Sequence, residues 1–121
     1  MEARPVVAID GLTKRYGKRI AVDDLTVDIP RGVVAGFIGP NGAGKTTTMA
    51  MLLGLVHPTS GGGSVLGEPL AHPERYMDRV GALVEGPALW PGLTGVENLR
   101  VLARLGDLDA SSIPALLELV G

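Results

Sequence analysis

The sequence predicts an α/β sandwich in which antiparallel strands come first and a strand, a glycine-rich loop and a helix follow. Three observations lead there. In DLTVDIP, Leu25, Val27 and Ile29 alternate with Thr26 and Asp28, the period-2 pattern of a strand with one wet face. Val33–Ile38 (VVAGFI) is a continuous apolar run, as expected of a strand buried on both faces of a sheet. GPNGAGKT at Gly39–Thr46 then leads into a segment carrying Met49, Leu52 and Leu53, which reads as a helix.

In chain order, Val6–Leu12 reads as the first strand, and the YGKR turn at Tyr16–Arg19 leads into the second. Pro30 ends that strand and Gly32 opens a turn before Val33–Ile38. The helix is expected over Lys45–Val56, stopped by Pro58. PTSGGGS reads as a loop, Ser64–Leu66 as a short strand and Glu74–Arg79 as a helical turn or more. Gly81–Glu85 (GALVE) reads as another strand. Thr94 caps a helix over Gly95–Leu105, with Glu97 at the third helical position completing a capping box. A last helix is expected over Ser111–Val120.

Composition narrows the function classes. A chain of 121 residues is one domain at most, and 45% hydrophobic residues are enough for a core. A net charge of −2 argues against a nucleic-acid partner, which selects a basic face. With no cysteine there is neither a disulfide framework nor a thiolate metal site. The start, MEARPVVAIDG, lacks the apolar run of a signal peptide, and no stretch is long and apolar enough to span a bilayer, so a cytoplasmic location is expected. His57 and His72 lie beside prolines with no second ligand at metal spacing, and read as surface residues.

Gly39–Thr46 matches G-x-x-x-x-G-K-[ST] at every position. The spacing has a chemical reason. Gly39, Gly42 and Gly44 let the backbone wrap so that successive N–H groups point inward and form a nest for phosphate oxygens. The helix that follows adds its positive end. Lys45 reaches the β- and γ-phosphates, and the Thr46 hydroxyl is placed to coordinate Mg²⁺. By itself the motif identifies a nucleoside triphosphate, which kinases, GTPases and transport ATPases all bind. It makes the α/β sandwich that of a P-loop NTPase, with N-terminal antiparallel strands and part of a parallel core sheet with its helices.

Longer stretches are more specific. GLTKRYGKRIAVDDLTVDIPRG, GFIGPNGAGKTTTMAMLLGLVHPTSG and GALVEGPALWPGLTGVENL occur in this order. Over Ala8–Leu105 the chain resembles the N-terminal half of an ATP-binding cassette (ABC) transporter nucleotide-binding domain. On that resemblance residues 1–94 are the nucleotide-binding core and residues 95–121 the start of the helical subdomain. It implies that Tyr16 stacks on adenine, that Gly39, Pro40, Asn41, Gly42, Ala43, Gly44, Lys45, Thr46 and Thr47 hold the phosphates, and that Thr46 and Glu85 bind Mg²⁺. Glu85 is a departure, because the family usually places glutamine there. A carboxylate is a hard Mg²⁺ ligand but donates no amide hydrogen bond. Glutamate at this position is similar to cassettes serving drug and antimicrobial-peptide exporters. Glu85–Thr94 is then expected to face a membrane permease, with Trp90 either an interface anchor or a core residue.

The resemblance also implies parts that the sequence does not contain. There is no LSGGQ, no apolar strand ending in Asp-Glu and no histidine after His72. No catalytic set is complete, so the expectation is a chain that binds MgATP without hydrolysing it, as an incomplete, association-prone part of an ATPase. The full assembly implied is a head-to-tail pair of ATP-binding subunits on the inner face of the membrane beside a separate permease. Alternatives are a non-catalytic nucleotide module that pairs with a full-length cassette, or a soluble ABC-type ATPase outside transport. A small-molecule kinase fits least.

Overall fold

The computed structural model describes residues 4–38, 44–83 and 89–121. The chain divides into two units, Met1–Ala82 and Leu83–Gly121.

The first unit is built on a four-stranded antiparallel sheet in the order β2-β1-β3-β4. β1 (Val7–Tyr16) and β2 (Arg19–Ile29) form a hairpin in which Tyr16 pairs with Arg19. Gly17 stands first in the two-residue turn at φ +59°, the left-handed backbone that this connection needs. β3 (Ser60–Val65) pairs with the other edge of β1, and the short β4 (Glu68–Pro69) with β3.

β1 is not regular. Its register slips against both neighbours between Ile9 and Thr13, around Gly11 at φ +60°. Hydroxyls brace the bulge: the Gly11 N–H donates to Thr26 Oγ1 at 2.9 Å, and the Asp24 N–H to Thr13 Oγ1 at 2.9 Å. The extra residue turns Ile9 and Leu12, three apart, into the same core.

The glycines read as a loop form half of β3. A Cβ on Gly61 would lie 2.0 Å from the Gly11 carbonyl oxygen, and one on Gly63 would lie 2.1 Å from that of Ala8. The two strands therefore approach more closely than any side chain permits, and glycine here extends the ladder rather than breaking it.

α1 (Lys45–Leu52) is shorter than expected. Its stop is Gly54 at φ +75°, not Pro58. The Leu55 N–H donates to Ala50 O at 2.9 Å and the Gly54 N–H to Met51 O at 3.3 Å, the paired closure of a Schellman motif. Met51 from α1, Val22 from β2, Val65, Leu70 and Tyr76 join Ile9 and Leu12 in one core. Two 3-10 turns, Pro73–Arg75 and Met77–Arg79, occupy the region expected to be a helical turn.

Val33–Ile38 departs from its expectation. It carries no strand ladder among the described residues, and Val34 and Ile38 are almost fully exposed. An interior strand requires neighbours for its N–H and C=O groups, and the ladders of this sheet run only through β1 to β4. Apolar composition does not create that partner. Gly81, Ala82 and Leu83 likewise form no strand, and the rest of that expected strand, Val84 and Glu85, lies outside the described residues.

The second unit is helical. α2 (Gly95–Leu105) carries the expected capping box, and α3 (Ile113–Val120) follows a 3-10 turn at Ala110–Ser112. Ala103 and Ile113 are its buried apolar residues.

Candidate functional site

The first turn of α1 is set by its cap. Gly44 adopts left-handed backbone, φ +88° and ψ 10°. A Cβ there would lie 2.3 Å from the Ala21 carbonyl oxygen and 2.9 Å from Val22 Cγ2, so only glycine lets the helix start sit against β2. Thr48 then secures the turn: its N–H and its Oγ1 both donate to Gly44 O at 2.8 Å.

Lys45, Thr46 and Thr47 fill the first three helical positions, with Thr46 exposed and the other two half-buried. Among the described residues no side chain caps this helix and no acidic residue lies in its first turn. A helix start with no acidic residue in its first turn favours an anion, because its N–H groups and dipole carry partial positive charge. The exposed Thr46 hydroxyl is a hard oxygen of the type Mg²⁺ takes. Both features fit MgATP.

Tyr16 ends β1 with its ring half exposed. It pairs with Arg19, two residues before Ala21, the residue against which Gly44 packs. The hairpin tip and the start of α1 thus lie at one end of the first unit. The Lys14 ammonium stands 5.0 Å from the Tyr16 ring centroid and donates to His57 O at 2.8 Å.

The structure therefore brings Tyr16, Gly44, Lys45, Thr46 and Thr47 to one end of the same unit. Gly39, Pro40, Asn41, Gly42 and Ala43, and the second expected metal ligand Glu85, lie outside the described residues. Among the described residues no group of three His, Asp or Glu side chains is arranged to hold a metal. His57 and His72 are exposed, and His72 Nδ1 meets Glu74 Oε1 at 3.0 Å.

Two residues that matter to these elements escaped the sequence reading. Tyr76 is fully buried and its hydroxyl donates to the Leu52 carbonyl at the end of α1, while burial pushes its pKa up. Asn98 is buried in the second unit and ties down the segment before α2. Its Oδ1 accepts from the Trp90 N–H at 2.7 Å, and its Nδ2 donates to the carbonyls of Trp90, Leu93 and Thr94 at 3.3, 3.2 and 2.9 Å. The Trp90 side chain is left 42% exposed, which excludes a simple core role for it within this unit. The only signal for Asn98 was a polar residue at a position where the helix should turn inward.

Among the described residues no helix is long and apolar enough to cross a membrane. A family model described as ABC transporter matches residues 22–121. The chain is 41% identical over 118 residues to the bacitracin transport ATP-binding protein BcrA of Bacillus licheniformis, covering 96% of this chain and 39% of that protein. It is 42% identical over 119 residues to the Nod factor export ATP-binding protein I of Ralstonia nicotianae, covering 94% and 37%. Against the lantibiotic transport ATP-binding protein SrtF of Streptococcus pyogenes it is 38% identical over 116 residues, covering 96% and 50%. A solved structure described as the ATP binding subunit of an ABC transporter superposes with a TM-score of 0.73 at 34% identity, over 86% of this chain and 44% of that one. The chain thus spans half or less of the length of these relatives.

Proposed function

We propose, from the premise that this chain belongs to the ABC transporter family, that it is the nucleotide-binding part of an exporter's ATP-binding subunit. The observation that carries the reading is the start of α1: the phosphate motif runs into a helix whose glycine cap is seated on β2, at the same end as Tyr16.

In this reading each residue has a positional task. Backbone N–H groups of Gly39 and of Asn41, Gly42, Ala43, Gly44, Lys45, Thr46 and Thr47 hold the phosphates, with Pro40 shaping the loop between them. Lys45 meets the β- and γ-phosphates, and Thr46 and Glu85 hold Mg²⁺. Tyr16 stacks on the adenine. MgATP, when bound, supplies the phosphoryl chemistry.

Partners follow from the relatives. Their names specify bacitracin transport, Nod factor export and lantibiotic transport, which supports export of drugs or peptides through a separate permease. Glu85–Thr94, in which Trp90 is exposed while Asn98 holds its backbone, is the surface proposed to meet that permease on the inner face of the membrane. A second ATP-binding subunit pairs with it head to tail. The 121 residues contain no LSGGQ and no apolar strand ending in Asp-Glu, so they are proposed to bind MgATP without turning it over.

Calorimetric titration of MgATP into the chain tests the proposal. Binding that Lys45→Ala weakens by about 10- to 100-fold is the expected result. Heat unchanged by Lys45→Ala would remove the phosphate site, and phosphate release above the Lys45→Ala control would overturn the claim of binding without turnover.

A further inference from the structure

The cations around the hairpin tip are not equivalent. Lys14, Arg15, Lys18 and Arg19 all surround Tyr16 in sequence, yet only Lys14 is held in two contacts that bear on the ring. Its ammonium stands 5.0 Å from the Tyr16 centroid, within cation–π range. The same nitrogen donates to the His57 carbonyl at 2.8 Å. His57 follows the Schellman turn that closes α1. Next to it the Thr59 N–H donates to Thr13 O at 2.8 Å, and Thr59 Oγ1 accepts from the Arg15 N–H at 2.9 Å. The ring is therefore tethered, through Lys14 and this pair of bonds, to the segment leaving the helix that begins at Lys45.

We propose that Lys14 is a positioning residue for nucleotide base recognition, covering one face of the Tyr16 ring and leaving the other face for a purine. This rests on the nucleotide-binding reading above. The physical reason has two parts. An aromatic face is electron-rich, and an ammonium on one side draws that density toward itself. The opposite face becomes less repulsive to the electron-rich face of a stacked base. Holding the ring in one rotamer also lowers the ordering cost of stacking. His57 contributes only its backbone carbonyl, so its side chain has no part in the device.

The test compares MgATP with Mg-tripolyphosphate, which offers phosphates but no base, titrated into the full chain and its variants. Lys14→Met is expected to weaken MgATP by about two- to fivefold and leave tripolyphosphate unchanged. In a Tyr16→Ala background the same substitution is expected to have no further effect, because the ring through which it acts is gone. Lys14→Arg, which keeps a cation and a donor, is expected to retain the wild-type affinity, and circular dichroism melts confirm that each variant is folded. Equal weakening of both ligands would make Lys14 a general attractor of anions and overturn the proposal. So would an undiminished effect in the Tyr16→Ala background, or a Lys14→Arg chain as weak as Lys14→Met. A wild-type chain that binds neither ligand in a Lys45-dependent way would remove the nucleotide reading itself, and this inference with it.

Discussion

α2 begins by answering its own backbone. Thr94 Oγ1 accepts from the Glu97 N–H at 3.2 Å, and Glu97 Oε1 accepts from the Thr94 N–H at 2.9 Å. The Thr94 backbone N–H first, and the Thr94 hydroxyl after it, hold the Glu97 carboxyl below its usual range. α1 begins in the opposite way, with a left-handed glycine, no side-chain cap and no acid in its first turn among the described residues. One start is complete within the chain. The other is held from behind, by Ala21 and Val22. A helix start without a side-chain cap lacks what makes an ordinary start stable, so its neighbours must position it.

The largest effect is expected where that support is removed. Gly44→Ala places a Cβ 2.3 Å from Ala21 O on left-handed backbone. It should cost about 2–5 kcal/mol, from strain and overpacking together, and lower the melting temperature. A change within error would mean that α1 does not depend on β2. Lys45→Ala comes next, with MgATP affinity expected to fall by about 10- to 100-fold, the range of a charge-assisted contact.

The self-capped start is tested by smaller changes. Asn98→Ala leaves the N–H of Trp90 and three carbonyls without their buried partner, and about 1–3 kcal/mol is expected to be lost in urea denaturation. Thr94→Ala should cost about 1 kcal/mol by the same measurement. If it costs nothing, the two helix starts are not energetically distinct.

The smallest effect is a pH dependence. Glu97 has a depressed pKa in the folded chain, so its contribution is present above the ordinary carboxylate range and is lost as pH falls through the lower folded value. Stability followed by denaturation across acidic pH should show this loss, and Glu97→Gln should flatten that part of the profile. Asp109, held low by the Ser111 N–H, contributes with the same sign, so the difference between wild type and Glu97→Gln is the quantity to compare.

Where the chain supplied its own partners, local sequence was sufficient. Thr94 and Glu97 are three residues apart, and the α2 cap follows from that spacing alone. Tyr16–Arg19 marked the hairpin because a two-residue turn needs positive φ and Gly17 provides it. Gly54 carried a stop signal as strong as Pro58, but a Schellman closure is recognisable only when the hydrogen bonds to Ala50 and Met51 are seen. The loop expected at PTSGGGS and the strand expected at Val33–Ile38 share one cause of error. Glycine is a poor strand former and an apolar run a good one, until the neighbours are known.

The phosphate motif, the antiparallel entry, the capping box and the family resemblance are properties of residues close together in the chain, whose chemistry does not wait for folding. The close approach of β3 to β1, the buried hydroxyl of Tyr76 on Leu52, the seat of Gly44 on Ala21 and the Lys14 ammonium on the His57 carbonyl join residues far apart in sequence. No local propensity encodes such pairings. Each depends on a backbone separation that exists only after β1, β2 and β3 are in register and α1 has packed on them.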